Sequence, residues 1–334
     1  MKDMYILAIE SSCDETSCAI VKNGCEDIAT VINTQIDIHT LYGGVVPEIA
    51  SREHLRAITL VIDECLKKAK MRMEDIDAIA VTYGPGLIGS LLVGIEAAKT
   101  LSLIYNKPLI KVNHMAGHIY ANNLSKEMKF PLISLVISGG HTEIIYMKDE
   151  YSFEKIGGTL DDAIGECYDK VARVIGVGYP GGPVIDKLAK QGKHEYDLPL
   201  PLNDDSYNFS FSGLKSAVIN LAHNTEQRGE ELNKENLATS FQDVVVETVK
   251  KKTLKALKDY NVKRLVVAGG VSANSAIRSS LEEMCKENDI DFSVPELRYC
   301  TDNATMIGAA AYYAFKHGDL ADENLNACPG LNLA

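Results

Sequence analysis

The chain has 334 residues, enough for two lobes with separate cores, and its 46% hydrophobic and 24% charged content is ordinary for a globular protein. A formal net charge of −12 argues against a chain that grips nucleic acid unaided, because Lys and Arg contacts to phosphate supply most non-specific affinity. The eight cysteines are scattered with no Cys-x-x-Cys, which fits reduced thiols and excludes the disulfide framework of a small secreted domain.

The first residues run into an apolar strand without a basic n-region and apolar h-region. No apolar run is read as reaching the roughly 18 residues of a membrane span. A cytoplasmic protein with no membrane contact is the expectation. Tyr5–Ile9 is followed by the polar turn Glu10–Thr16 and a second apolar run, Cys18–Val21, which reads as a hairpin. Leu55, Ile58, Ile62 and Leu66 recur at helical spacing after Pro47, so 47–70 is an amphipathic helix. Ile76–Thr82 is a buried-type strand feeding Gly84-Pro85-Gly86 and an apolar helix through Leu103. The order then repeats. Leu132–Ile137 and Glu143–Met147 form a second hairpin around Ser138-Gly139-Gly140-His141-Thr142, and Arg264–Ala268 is a strand feeding Gly269-Gly270-Val271 and another helix. Between them lie a polar loop over 193–208 and a well-patterned helix over Glu235–Leu257. The residues after Gly318 read as a weakly structured tail. The pattern is a duplicated α/β unit, two lobes with mixed sheets and an interlobe cleft. The division is placed at 112/113, with an N-terminal lobe over 1–112 that 311–334 can complete, and a C-terminal lobe over 113–310 carrying the metal and nucleotide residues.

His114 and His118 are four residues apart, so on a helix both imidazoles project from one face, a simple way to offer two neutral ligands to a divalent metal. The hydrolytic zinc helix puts a Glu directly after its first His; here Met115 stands there. Asp302 is the obvious third ligand, with helix capping by Thr301 or Asp302 as the alternative. The glycines of 138–142 let backbone amides approach an anion, although a plain hairpin turn has the same residues. The turn at 269–274 leads into a helix whose amides can hold a nucleotide or merely pack tightly. Asp161, Asp162, Glu166 and Asp169 are read on one helix with Lys170 and Arg173. Asp186 follows Gly181-Gly182-Pro183, where a carboxylate can take ribose hydroxyls. Asp14 is a catalytic acid or base, or else a turn-stabilising residue. His39, His54, His194, His223 and His317 show no constellation. No P-loop or Rossmann fingerprint is present.

Glu10-Ser11-Ser12-Cys13-Asp14-Glu15-Thr16, Gly84-Pro85-Gly86, His114-Met115-Ala116-Gly117-His118, Ser138-Gly139-Gly140-His141-Thr142, Tyr179-Pro180-Gly181-Gly182-Pro183, Phe211-Ser212-Gly213-Leu214-Lys215 and Gly269-Gly270-Val271 follow one another in the order of a single family. From about Tyr5 to His317 the chain resembles the bacterial tRNA threonylcarbamoyladenosine synthases, formerly described as O-sialoglycoprotein endopeptidases. The resemblance implies the actin-like, hexokinase-like and Hsp70-like ATPase fold. It implies a divalent metal, iron or else zinc, on His114, His118 and Asp302. An adenylate pocket is implied at Ile137, Ser138, Gly139, Gly140, His141, Asp169, Gly182, Asp186 and Asn274, open also to ATP, ADP or AMP. The implied reaction moves the threonylcarbamoyl group of threonylcarbamoyl-AMP to N6 of adenosine 37 in tRNAs reading codons that begin with A. Asp14 and His141 are the catalytic candidates. The implied partners are tRNA, an inactive paralogue of the same fold and a small P-loop ATPase, which together can supply the basic surface this chain lacks. A kinase of the same fold, a metalloprotease and a non-enzymatic scaffold are the competing readings. A kinase would leave the His pair and Asp302 without a task, Met115 counts against a protease, and the metal pair counts against a scaffold.

Overall fold

The computed structural model describes residues 3–334. In chain order its main elements are β1 (Tyr5–Glu10), β2 (Glu15–Lys22), β3 (Glu26–Thr34), α1 (Ile36–Thr40), α2 (Pro47–Ala69), β4 (Ala78–Gly84), α3 (Ile88–Tyr105), β5 (Leu109–Asn113), α4 (His114–Tyr120), β6 (Leu132–Ile137), β7 (Thr142–Met147) and β8 (Glu154–Gly158). They continue with α5 (Ile164–Val174), α6 (Gly181–Ala189), α7 (Ser212–Gln227), α8 (Lys234–Asp259), β9 (Arg264–Ala268), α9 (Ser275–Glu287), β10 (Asp291–Ser293), α10 (Ala304–Lys316) and β11 (Leu320–Ala321).

Two compact units result. Among the described residues the first holds those up to Met128, Asp149–Ser152 and Pro295–Ala334, the second Lys129–Lys148 and Phe153–Val294. The sheet of the first runs β11-β5-β4-β1-β2-β3 and that of the second β10-β9-β6-β7-β8. Each contains the same motif. An antiparallel meander (β1-β2-β3, β6-β7-β8) has its first strand paired in parallel with a later strand (β4, β9). This bears out the duplication read from the element order and adds a third meander strand to each hairpin.

The strands that start each meander are apolar without alternation because both of their faces are covered. In β1, Leu7 and Ile9 join Ile58, Val61, Leu91 and Ile95 in one core, while Ala8 lies under Gly308 of α10. In the second unit Ile133, Leu135 and Ile137 pack with Val171, Phe241, Val245 and Ile277. Each such side chain contributes about 1.5–3 kcal/mol on leaving water.

Three expectations need correction. The unit boundary falls after 128, not 112, because β5 runs directly into α4, whose Gly117 packs against Ile307 of α10. His114, His118 and Asp302 therefore belong to the first unit, and the residues from Ile137 to Asn274 to the second. The residues after Gly318 are not loose. Leu320 and Ala321 pair with Ile110 and Leu109, the Cys328 amide donates to the Tyr83 carbonyl, and Asn113 Nδ2 donates to the Asn332 carbonyl at 3.1 Å. Finally, α3 is 18 residues long with a mean hydropathy of 1.4, enough by length and composition alone to cross a membrane. Its Glu96–Lys99 pair at 2.9 Å had masked that length, and its Leu91, Ile95 and Ala98 are core residues.

Candidate metal centre and adenylate segments

The helix carrying the His pair is started by Asn113, whose Oδ1 accepts from the amides of Met115 at 2.8 Å and Ala116 at 3.4 Å. That side-chain cap ends β5 and opens α4 at His114. Gly117 lets α4 close on α10, since a Cβ there would stand 2.7 Å from Ile307 Cδ1. At the start of α10 the cap is Asn303, which accepts from the Met306 amide at 3.0 Å. Capping by Thr301 or Asp302 is therefore not what the helix uses, and the Asp302 carboxylate is released toward the histidines.

Asp302 Oδ1 lies 3.2 Å from His118 Nε2 and 3.5 Å from His114 Nε2. The two rings stand nearly perpendicular with centroids 4.7 Å apart, and one donor atom from each of the three residues falls within 4.8 Å of the others. His118 is only 1% exposed, yet neither of its ring nitrogens makes a hydrogen bond of good geometry among the described residues. A buried imidazole with both nitrogens unsatisfied is costly, and a cation between these three groups would remove that cost. The donor set, two imidazoles and a carboxylate, suits a divalent transition metal.

Behind His114 sits a second acid, this one buried. Glu10, at the end of β1 and fully buried, places Oε2 3.2 Å from His114 Nδ1. Its own oxygens are held by the Ser12 amide and the Thr82 hydroxyl, each at 2.5 Å. Burial opposes charge on His114, but the carboxylates of Asp302 and Glu10 outweigh it and hold its pKa well above the ordinary imidazole value. Burial, with the His114 charge adding, pushes His118 down. Burial would raise Glu10 and Asp302, yet His114 draws both below the usual carboxylate range.

The turn 11–14 carries Asp14 and is pinned from several sides. The Gln35 amide donates to the Asp14 carbonyl at 3.1 Å and the Leu87 amide to the Ser12 carbonyl at 2.8 Å. His54, which showed no constellation in sequence, is buried and bonds the Cys13 carbonyl through Nε2 at 3.0 Å and Thr16 Oγ1 through Nδ1 at 2.7 Å. Burial, reinforced by the carboxylates of Asp302 and Asp14, pushes the Glu15 carboxyl up. The turn thus feels the charge of the Asp302 carboxylate.

In the second unit the named residues connect through hydrogen bonds. The 138–142 turn joins β6 to β7, with the Ser138 amide donating to the His141 carbonyl at 2.8 Å. A Cβ on Gly139 or Gly140 would meet nothing within 4 Å, so their backbone is open to approach. Gly269 requires glycine. Its φ is +88°, and a Cβ would stand 2.4 Å from the Ile137 carbonyl oxygen. Asp169 Oδ1 accepts from the Gly181 amide at 2.7 Å, at the start of α6. Asp186 accepts from Ser275 Oγ at 2.9 Å and pairs with Lys190 at 3.1 Å. Asn274 Oδ1 caps α9 through the Ala276 and Ile277 amides, and its Nδ2 donates to Gln242 Oε1 at 2.9 Å. Gln242 Nε2 in turn donates to Asp186 at 3.3 Å. Gln242 thus links Asp186 and Asn274.

Asp161 and Asp162 precede α5 and do not share it with Glu166 and Asp169. Asp161 accepts from the Phe211 amide at 2.8 Å and the Ser210 and Ser212 hydroxyls, while Asp162 pairs with Lys170 at 2.8 Å and Lys215 at 2.6 Å. The Phe211–Lys215 motif is therefore fastened to this aspartate pair. Sequence reasoning missed Glu10 and Gln242 as partners of candidate site residues. The signals were there: an acid closing an apolar strand, and an amide among Leu237, Phe241, Val244 and Val245 on a buried helix face.

The family model for tRNA N6-adenosine threonylcarbamoyltransferase, TsaD, matches residues 26–309. A protein of that name from Staphylococcus saprophyticus is 59% identical over 322 residues, 96% of this chain and 94% of its own length. One from Staphylococcus carnosus is 56% identical over 333 residues, covering 99% and 97%. Among solved structures, HypF from T. kodakarensis aligns with a TM-score of 0.63 at 14% identity, over 97% of this chain and 49% of that one. Full-length HypF in a phosphate- and nucleotide-bound form gives 0.62 at 16% identity, over 94% and 46%. At those identities the structures show the fold alone, the actin-like ATPase class.

Proposed function

The chain belongs to the TsaD family of tRNA N6-adenosine threonylcarbamoyltransferases, and from that premise we propose which of its residues carry the transfer. The family acts on tRNA and the activity is that of a transferase; neither a kinase nor a protease is favoured by these relatives. His114, His118 and Asp302 are the metal ligands in this reading, with iron the first choice and zinc the second. When bound, such an ion supplies a Lewis acid and a template for the acyl oxygens.

The remaining work falls to the chain itself. Backbone amides of 138–142 and the residues Asp169, Gly182, Asp186 and Asn274 hold the adenylate of threonylcarbamoyl-AMP, a pocket that ATP, ADP or AMP would share. N6 of adenosine 37 attacks the carbamoyl carbon, the bond from that carbon to the phosphate oxygen breaks, and AMP leaves with the electron pair. N6 loses its proton to Asp14. His141 is the second catalytic candidate, on the turn beside the leaving phosphate.

A net charge of −12 leaves the grip on tRNA to be shared, with an inactive paralogue and a small P-loop ATPase as the partners. Exposed apolar side chains on the packed helices α2 and α3, among them Leu60, Ile88 and Leu103, support a protein partner. The compartment in this reading is the cytoplasm.

The observation that carries the proposal is the buried His118, unsatisfied at both nitrogens, beside His114 and Asp302. The test incubates protein, both partners, threonylcarbamoyl-AMP and hypomodified tRNA, then measures tRNA nucleosides by mass spectrometry. Threonylcarbamoyladenosine forms with the unaltered chain and disappears with His114→Ala together with bound metal. Full product from a His114→Ala chain that holds no metal would overturn the ligand assignment.

A further inference from the structure

We propose that Glu10 is a positioning residue for the metal site, fixing the ring of His114 so that Nε2, and not Nδ1, is the ligand atom. The inference rests on the metal reading given above. Glu10 ends an otherwise apolar strand, Tyr5–Glu10, with its side chain wholly buried. A carboxylate in such a place must be paired or it costs heavily. Its partners come from three directions: the Ser12 amide on Oε1 at 2.5 Å, the Thr82 hydroxyl on Oε2 at 2.5 Å, and His114 Nδ1 on Oε2 at 3.2 Å. The first two lie on or beside paired strands β1 and β4, so the carboxylate is a fixed point against which the imidazole is oriented.

An ionised carboxylate only accepts hydrogen bonds, so Nδ1 facing it carries the hydrogen. In the neutral imidazole that a metal ligand must be, the lone pair then sits on Nε2, the nitrogen 3.5 Å from Asp302. His118 has only Asp302, 3.2 Å from its Nε2, and its Nδ1 faces no acid among the described residues. The two histidines are therefore unequal, His114 set in advance by its acid and His118 held by packing. Glu10 also completes a charge balance. With both imidazoles neutral, Glu10 and Asp302 together match the two positive charges of a divalent cation.

Ser12 Oγ also lies 3.2 Å from His114 Nδ1, so the experiment separates the hydroxyl from the carboxylate. Metal-free full-length chain is titrated with cobalt(II), following affinity and the ligand-field absorption, in the unaltered form, Glu10→Gln and Ser12→Ala. The expected result is a loss of about 10- to 100-fold in cobalt affinity with an altered spectrum for Glu10→Gln, and little change for Ser12→Ala. Equal affinity and spectrum for Glu10→Gln would overturn the proposal while leaving the metal site standing. A larger loss with Ser12→Ala would overturn it in favour of the hydroxyl. No cobalt binding by the unaltered chain would overturn the metal reading itself, and this inference with it. Independently of any variant's folding, 1H–15N spectra of the zinc-loaded unaltered chain should show a proton on His114 Nδ1, far downfield; a proton on Nε2 instead refutes the assignment.

Discussion

The two candidate regions are built in opposite ways. In the first unit the side chains themselves make the candidate site: His114, His118 and Asp302 converge from α4 and the start of α10, and His118 makes no other hydrogen bond among the described residues. In the second unit the named side chains already have work. Asp169 holds the Gly181 amide, Asn274 caps α9 and bonds Gln242, and Asp186 bonds Ser275 and Lys190. What remains open there is backbone, at Gly139, Gly140, Gly182 and Gly270. The difference teaches that the proposed metal site is legible as unsatisfied side chains, whereas the proposed nucleotide site is a scaffold that presents amides.

Breaking the first region should have the largest effect. His118→Ala and Asp302→Ala are expected to lower metal content, by elemental analysis, and transfer rate by more than about 100-fold, since losing an outer partner alone costs about 10- to 100-fold. Retained metal in either would dissolve the contrast. Next, Gly269→Ala forces a Cβ to within 2.4 Å of the Ile137 carbonyl oxygen at a φ of +88°, a cost of about 1–3 kcal/mol. Melting temperature and adenylate affinity should fall together while metal content per chain stays unchanged. Gln242→Ala leaves Asn274 Nδ2 only its long 3.5 Å contact with the Tyr168 hydroxyl and should weaken adenylate binding about tenfold by calorimetry, the equivalent of about 1–2 kcal/mol.

The smallest effect concerns pH in the metal-free protein. The folded pKa of His114 is raised above its ordinary 6.5 by Asp302 and Glu10 against the opposition of burial. Its contribution to stability is therefore complete below pH 6.5 and lost as pH rises through the folded value. Denaturant midpoints of metal-free chain should rise as pH is lowered toward 6.5, and His114→Gln should remove part of that rise. His118, whose pKa is lowered, contributes the opposite dependence, lost as pH falls below 6.5, and so leaves that window clear. Identical pH profiles for the two chains would show that His114 does not hold the charge.

Much of this was legible in sequence because it depends on local spacing. The i, i+4 pair at His114 and His118, the glycines after β6 and β9, and the repeated order of strand, turn and helix all appear as written. What was not legible depends on contacts between distant segments. Asp302 competes with Asn303 for the cap of α10, and only the fold shows that Asn303 takes it. Glu10 meets His114 across 104 positions, and Gln242 meets Asn274 across 32. The return of 311–334 to the first unit was legible in sequence, but the boundary at 128 was not, because it depends on α4 packing against α10 from the far end of the chain.

The seam between Asn113 and Asn332 has a consequence for how the molecule is made. On the ribosome the second unit has all its residues by Val294 and can fold while synthesis goes on, as domains commonly do. The first unit cannot. Its opening strands must wait, with one flank uncovered, until α10 and the segment reaching Asn332 emerge to close it. Asp302 arrives in that last stretch, so under the proposed ligand assignment metal capture is a late event in the life of the chain, and a product stalled before residue 302 holds both histidines without the carboxylate.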